Sequence, residues 1–118
     1  MDDEVLLCAS ESLRNGGDGI RFDVKLGASM APAFAVRFQD RVHAYVNRCA
    51  HVPYELDWQA GKFFDGEGLY LICSTHGALY APESGRCEGG PCGRRHLIPV
   101  SVDERDGQVY VARLAHPL

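Results

Sequence analysis

Two cysteine–histidine pairs are the part of this sequence best suited to chemistry. Cys49 and His51 are separated by one residue, and Cys73 and His76 are separated by two. Thiolates and imidazoles are common metal ligands, and a short spacing lets the backbone hold both members of a pair at one metal centre. We therefore expect a metal site with two sulfur and two nitrogen ligands.

Two metal centres suit this ligand set. A structural zinc ion is held tetrahedrally by two cysteines and two histidines. A Rieske [2Fe–2S] cluster takes both cysteines on one iron and both histidines on the other. Zinc-binding sequences usually place like residues within each half of the site, whereas here each half has one residue of each type. This mixed arrangement favours the cluster, because each loop can then give one ligand to each iron.

Short strands must position these residues. Alternating or apolar runs separated by turn residues predict strands at 5–8, 20–26, 33–38, 42–46, 69–72, 97–102 and 109–113. The third and fourth should form a hairpin, as should the last two around a turn at 103–107. One turn of helix is possible at 54–62. The pattern predicts an all-β domain with two long loops, at about 47–68 and 74–96, each beginning near a cysteine–histidine pair.

Composition narrows the class of protein. The chain has 118 residues, of which 46% are hydrophobic and 24% charged, which is ordinary for one globular domain. Its net charge of −4 argues against nucleic acid as a partner. The sequence has no apolar run long enough to cross a membrane, and its first residues are acidic, unlike a signal peptide. We expect a cytoplasmic protein with no membrane partner.

The sequence resembles the Rieske-type ferredoxin family. The resemblance begins with the motif CxH, a gap, and CxxH followed by Gly77. It continues through Tyr80, an aromatic residue four positions after the second histidine. The segments Ser84-Gly85 and Gly90-Pro91 resemble the proline loop that covers the cluster in this family. The similarity covers about residues 33–113.

The resemblance implies a fold and a cofactor. The expected fold is a single all-β, Rieske-like domain over residues 1–118, with stacked antiparallel sheets and a cluster-binding subdomain at about 47–96. One [2Fe–2S] cluster per chain is implied, with cysteine ligands on one iron and histidine ligands on the other. The implied ligands are Cys49, Cys73, His51 and His76, with Gly77, Tyr80 and Pro91 close behind them.

The resemblance also implies a function. The chain would be a one-electron carrier rather than an enzyme. It would take electrons from a flavin-dependent reductase and pass them to a terminal oxygenase or a similar acceptor. An alternative is a Rieske small subunit of a larger oxidoreductase such as nitrite reductase. A zinc-stabilised binding module is the third hypothesis.

The sequence departs from the family pattern in two ways. The gap between His51 and Cys73 holds 21 residues, more than is usual, and we place the extra length at about 57–68. The respiratory branch has further loop cysteines at the positions of Tyr54 and Thr75, and a sulfur-bonding serine at the position of Ala78. Fewer donors stabilise the reduced cluster less, which predicts a potential low in the Rieske range of about −150 to +300 mV.

Several other residues have more than one interpretation. For Cys87 and Cys92 we favour free thiols over a disulfide, given the compartment. Cys8 lies in an apolar run and is expected in the core. In the extended gap, Trp58, Phe63 and Phe64 are expected to pack against the cluster subdomain, although an exposed docking patch is the alternative. Arg86, Arg94 and Arg95 could steer an acidic partner or belong to a solvated loop.

Overall fold

The computed structural model describes residues 4–49, 55–57, 59–73 and 77–115. This part of the chain is built from strands and one short 3-10 helix, Ser10–Ser12, so the all-β prediction is confirmed. It contains no helix long and apolar enough to cross a membrane. The strands are β1 (Glu4–Ala9), β2 (Ile20–Leu26), β3 (Ser29–Phe38), β4 (Arg41–Val46), β5 (Leu71–Ile72), β6 (Leu79–Tyr80), β7 (Cys87–Gly89), β8 (Pro99–Val100), β9 (Val102–Arg105), β10 (Gln108–Ala112) and β11 (Leu114–Ala115).

The strands form three sheets. The middle sheet has the order β11-β2-β3-β4-β8, and the outer sheets have the orders β1-β10-β9 and β5-β6-β7. The paired strands are antiparallel, as expected, with one exception that corrects the prediction: β11 runs parallel to β2. After β10 the chain crosses from an outer sheet to the middle one, and the Lys25 amide donates to the Arg113 carbonyl oxygen at 2.8 Å. This crossing delivers β11 in the same direction as β2.

The middle sheet has a different core on each face. Successive side chains of a strand point to opposite faces, so Phe34 and Ala35 of β3 enter different cores. Ala35 packs with Val109 of β10 in one core. Phe34 packs with Cys73 in the other, which we call the cysteine core. The buried residues of the cysteine core are Phe34, Val36, Tyr45, Cys49, Leu56, Phe63, Leu71, Cys73, Ala78, Tyr80, Cys92 and Leu97.

Both predicted hairpins are present, and each turns on two residues with left-handed backbone. In the first, Gln39 and Asp40 have φ of 51° and 69°; in the second, Asp106 and Gly107 have φ of 53° and 74°. Two-residue turns of this handedness match the twist of the flanking strands. The predicted broad turn at 103–107 was therefore wrong, because β9 continues to Arg105 and only two residues are needed to reverse the chain.

Two further expectations about loops need correction. The segment 74–96 is not a long structureless loop, because it contains β6 and β7, which pair with each other and with β5. Nor is there a helical turn in the described part of 54–62. Gly61 has φ of +86°, and its amide donates to Asp57 Oδ2 at 3.1 Å, which closes a turn instead.

Candidate metal centre

The structure brings the two predicted cysteine ligands into one core. Cys49 lies three residues beyond the end of β4, and Cys73 directly follows β5. Their exposed fractions are 2% and 0%, and both belong to the cysteine core. The predicted nitrogen ligands, His51 and His76, lie outside the described residues. In the described ranges no group of three or more His, Cys, Asp or Glu residues could hold a metal ion.

The hydroxyl of Tyr80 lies beside the first of these thiols. Its oxygen is 3.3 Å from Cys49 Sγ, and both side chains are buried. A cysteine that binds metal does so as a thiolate, which can only accept a hydrogen bond. If Cys49 binds a cluster iron as a thiolate, the Tyr80 hydroxyl would therefore be the donor. The 3.3 Å distance is that of a hydrogen bond to sulfur rather than of packing alone.

Backbone hydrogen bonds fix both ends of the turn that follows Cys73. The Cys73 amide donates to the Ala78 carbonyl oxygen, and the Gly77 amide donates to the Cys73 carbonyl oxygen, each at 2.9 Å. Gly77 has φ of +72°, a conformation that glycine adopts without a steric penalty. We call Cys73, Gly77 and Ala78 the Cys73 turn. It lies between β5 and β6, so a short hairpin holds it in place.

The predicted proline loop lies directly against the Cys73 turn. Gly90 has φ of +85°, and a Cβ there would be 3.0 Å from Ala78 Cα and 3.1 Å from the Gly77 carbonyl oxygen. The following residue, Pro91, is exposed within a turn. Only a residue without a side chain permits this close approach, so Gly90 sets the position of the loop. We call residues 90–93 the Pro91 loop.

A disulfide links Cys87 and Cys92, which corrects the preference for free thiols. Their Cα atoms are 5.7 Å apart, within the usual range for a disulfide. The Pro91 loop reverses the chain between them, and the Arg95 amide donates to the Cys92 carbonyl oxygen at 3.1 Å. The expectation was based on the redox state of the compartment, and it did not take account of this local reversal.

A buried polar pair that the sequence did not reveal holds the first cysteine loop. Asn47 is 1% exposed; its Nδ2 donates to Asp57 Oδ1 at 3.1 Å, and its Oδ1 accepts from the Leu56 amide at 2.9 Å. The Asn47 amide donates to the Pro32 carbonyl oxygen of β3 at 2.7 Å. These bonds join residues 47 and 57, on either side of Cys49. The only signal in the sequence was an asparagine two positions before a cysteine.

The extended gap inserts an aromatic ring into the cysteine core. Phe63 is fully buried and stacks on Phe34, with ring centroids 3.9 Å apart and planes 11° apart. Phe64 is partly buried and lies over Phe38, with centroids 6.3 Å apart. The packing prediction is confirmed for both phenylalanines. Trp58 lies outside the described residues, as do Tyr54 and Thr75.

The other cysteine and histidines that could bind metal lie outside the cysteine core or outside the described residues. Cys8 packs against the core between the middle sheet and the β1-β10-β9 sheet, as expected, and its burial raises the pKa of the thiol. His43 is half-buried on β4, where desolvation lowers its pKa. His96 is exposed, and His116 lies outside the described residues.

The cysteine core fits an iron–sulfur cluster in its donor chemistry. Two buried thiols come from turns at the ends of different strands, one of them with a hydroxyl 3.3 Å away, and a histidine follows each within three residues of sequence. Sulfur ligands with nearby hydrogen-bond donors suit such a cluster. The residues present therefore fit the group.

Comparisons with solved structures show that other proteins share this fold. The chain is similar to one in the complex of reduced oxygenase and oxidized ferredoxin in carbazole 1,9a-dioxygenase, with 23% identity, 100% of both chains covered and a TM-score of 0.74. It is also similar to the ferredoxin of carbazole 1,9a-dioxygenase from Nocardioides aromaticivorans IC177, with 22% identity, 93% of this chain and 97% of that chain covered, and a TM-score of 0.71.

Longer chains also contain this fold. In the reduced complex between oxygenase and ferredoxin in carbazole 1,9a-dioxygenase, a chain matches with 18% identity and a TM-score of 0.70. The match covers 98% of this chain but 29% of that one. The comparison with curated proteins finds no match. The family model for the Rieske [2Fe-2S] domain matches residues 3–112, and the chain therefore belongs to the Rieske [2Fe–2S] domain family.

Proposed function

We propose that this protein is a one-electron carrier with one [2Fe–2S] cluster, in which Cys49 and Cys73 bind one iron and His51 and His76 bind the other. Residues 1–118 would form a single domain, with its cluster-binding part at about 47–96. The observation that carries the proposal is the burial of Cys49 and Cys73 in one core, with the Tyr80 hydroxyl 3.3 Å from Cys49 Sγ, in a member of this family.

The chain's own residues would control the surroundings of the cofactor. When bound, the cluster supplies reversible one-electron chemistry. The buried side chains of Cys49 and Cys73 would keep the cysteine-bound part of the cluster away from water. With Cys49 bound as a thiolate, the Tyr80 hydroxyl would donate to its sulfur, and the Pro91 loop packs on the Cys73 turn. These contacts would hold the two cysteine ligands in one geometry, so that little rearrangement of them accompanies electron transfer.

A terminal oxygenase is the proposed electron acceptor, and a flavin-dependent reductase is the proposed donor. The structures similar to this chain include a ferredoxin complexed with an oxygenase, which supports the acceptor. We propose that the chain converts no substrate of its own, that it acts in the cytoplasm, and that neither nucleic acid nor a membrane is among its partners. Its net charge of −4 agrees with the absence of nucleic acid binding.

A permanently bound subunit of a larger oxidoreductase, such as nitrite reductase, is the second candidate. The observation that favours it is a similar structure in which this fold makes up only 29% of a longer chain. The match over 100% of another chain favours the free carrier. Size-exclusion chromatography of the protein from its native host distinguishes them, because a subunit would elute with a large partner at fixed stoichiometry.

Single cysteine replacements test the proposed function. Cys73→Ser should abolish bound iron and sulfide and the ability to pass electrons from a flavoprotein reductase to cytochrome c. The matched control is Cys8→Ser, since Cys8 lies outside the cysteine core and should leave both properties intact. Retention of the full iron and sulfide content by Cys73→Ser would overturn the proposed ligand set.

A further inference from the structure

Three exposed arginines lie on the segment 86–95, which packs beside the proposed cluster site. Arg86, Arg94 and Arg95 are all exposed. Backbone hydrogen bonds hold this segment in place. The Cys87 amide donates to the Arg95 carbonyl oxygen at 3.0 Å, and the Arg95 amide donates to the Cys92 carbonyl oxygen at 3.1 Å. The Cys87–Cys92 disulfide closes it further. These guanidiniums therefore extend from an ordered backbone.

This segment lies against the Cys73 turn. Gly90 approaches Ala78 so closely that a Cβ would be 3.0 Å from its Cα. Cys92 is buried in the cysteine core with Cys49 and Cys73. A fourth exposed arginine, Arg48, directly precedes Cys49 in the chain. We call Arg48, Arg86, Arg94 and Arg95 the arginine surface.

The arginine surface is not neutralised by the protein itself. Within the described ranges, the ion pairs of basic side chains involve Arg21, Arg37, Lys62 and Arg105. No member of the arginine surface forms an ion pair with a described acidic residue. Their charges therefore remain available to a partner.

The charge of the molecule is unevenly distributed. The segment 83–95 has three arginines against Glu83 and Glu88, a net charge of +1, which leaves −5 on the rest of the chain. Such an asymmetry orients a protein as it approaches a charged partner, because the field acts before contact. An acidic partner would attract this segment and repel the remainder of the molecule.

We propose that the arginine surface docks on an acidic face of the redox partner and so turns the cluster toward it. This proposal rests on the proposed function, because it names the chemistry of the surface with which the carrier exchanges electrons. Although the protein has a net negative charge, it would then bind a negatively charged face through the arginine surface. Electrostatic complementarity of this kind raises the rate of productive encounter and depends strongly on salt.

Electrodes of defined charge test the proposal with the intact, cluster-loaded protein. One gold electrode carries a carboxylate-terminated monolayer, which imitates an acidic partner, and the other carries an ammonium-terminated monolayer. At low ionic strength, electron exchange should be faster at the carboxylate surface despite the net charge. Arg94→Ser with Arg95→Ser should lower that rate by about tenfold, as expected for a lost steering effect. Added salt should remove most of the difference.

A matched double replacement controls for net charge. Arg14 and Arg113 are exposed and lie outside the arginine surface, so Arg14→Ser with Arg113→Ser makes the same change in charge. Its rate at the carboxylate electrode should stay within about twofold of the unmodified protein, as expected for charges remote from the docking surface. Faster exchange at the ammonium electrode, or equal losses in both double variants, would overturn the proposal.

The iron content of each sample separates this proposal from the proposed function. A protein with no iron and no voltammetric wave on either surface would contradict the function and the docking proposal together. A protein with full iron and a clear wave, but without preference for the carboxylate surface, would contradict the docking proposal alone.

Discussion

In the proposed ligand set, the contact between Tyr80 and Cys49 lets the protein adjust the electron affinity of its cofactor. The hydroxyl is 3.3 Å from Cys49 Sγ in a buried setting, where a hydrogen bond is not weakened by water. A donor to a ligand sulfur stabilises the more negative, reduced state of the cluster. Removing it should therefore make the cluster harder to reduce.

We predict that Tyr80→Phe lowers the reduction potential by about 30–60 mV, since about 59 mV corresponds to a tenfold change in a one-electron equilibrium. Protein-film voltammetry measures the shift. Tyr110→Phe is a control, because the Tyr110 hydroxyl donates to Gln108 Oε1 at 2.8 Å and lies outside the cysteine core. An unchanged potential in Tyr80→Phe would mean that Tyr80 only packs against the sulfur.

Residue types at short spacing were the part of the site most easily read from sequence. Cys49 and Cys73 were identified from their offsets to histidines, and Tyr80 from its position in the family motif. Asn47 and Asp57 were missed, because their hydrogen bond joins residues ten positions apart across an irregular segment. A contact of that kind produces no periodic signal. The Cys87–Cys92 disulfide was considered, but free thiols were preferred because of the expected compartment, and the local chain reversal that brings the two cysteines together is not visible in the sequence.

At the scale of elements, the site depends on turns that are fastened at their ends. Asn47 and Asp57 fasten the segment around Cys49, and backbone bonds fasten the Cys73 turn. Gly90 then fits the Pro91 loop against that turn. None of these contacts belongs to a long strand, so each can be weakened without removing the sheets.

We predict that Asn47→Asp destabilises the protein by about 2–3 kcal/mol, because it replaces a buried donor with a second carboxylate beside Asp57. Chemical unfolding and the rate of iron loss to a chelator both report the change. Asn15→Asp is the matched control, since Asn15 Nδ2 donates to Asp40 Oδ1 at 2.9 Å in an exposed position. It should cost less than about 1 kcal/mol. Equal effects of the two replacements would remove the special role of Asn47.

Gly90→Ala should destabilise the protein more than Gly93→Ala does. Both glycines have positive φ, which costs an alanine about 1–2 kcal/mol. Only Gly90 also has backbone atoms within 3.1 Å of the added carbon, whereas Gly93 has nothing within 4 Å. The excess should be about 1 kcal/mol or more, and Gly90→Ala should also lose iron faster. The measurements are thermal unfolding and chelator challenge; equal behaviour would show that the Pro91 loop can move aside.

Long elements were predictable where alternation was strong. The predicted strand at 20–26 coincides with β2, and the 33–38 and 42–46 strands lie within β3 and β4. The strands β6 and β7 have two and three residues, too few for a pattern of alternation to emerge. The parallel pairing of β11 depends on where the chain crosses between sheets, which local sequence does not encode.

At the scale of the whole molecule, Arg37 joins the middle sheet to an outer one. It lies on β3 and donates to both carboxylate oxygens of Glu104 on β9, at 2.6 and 3.1 Å. It also donates to the Leu13 and Ser10 carbonyl oxygens at 2.7 and 3.0 Å. This guanidinium therefore connects three parts of the chain that are distant in sequence.

The Arg37–Glu104 pair makes stability depend on pH in the acid range. The hydrogen bond from Arg37 lowers the pKa of Glu104. A carboxyl whose pKa is lowered by folding stabilises the protein fully above its ordinary pKa of about 4.3, and this contribution is lost as the pH falls through the lower, folded value.

We predict that Glu104→Gln destabilises the protein by about 1 kcal/mol near neutral pH, and that the difference from the unmodified protein shrinks below about pH 4. Urea unfolding at several pH values measures this. Glu67→Gln, at an exposed turn position, should change stability little at any pH. A Glu104→Gln effect that is constant down to acid unfolding would contradict the argument.

The mixed sulfur and nitrogen coordination is the basis of the whole account, and pulsed EPR of the reduced protein tests it most directly. Reduced with dithionite, the protein should give a rhombic signal with couplings from two imidazole nitrogens, one each from His51 and His76. A cluster signal without nitrogen couplings, or a colourless protein that contains one zinc ion per chain, would contradict it.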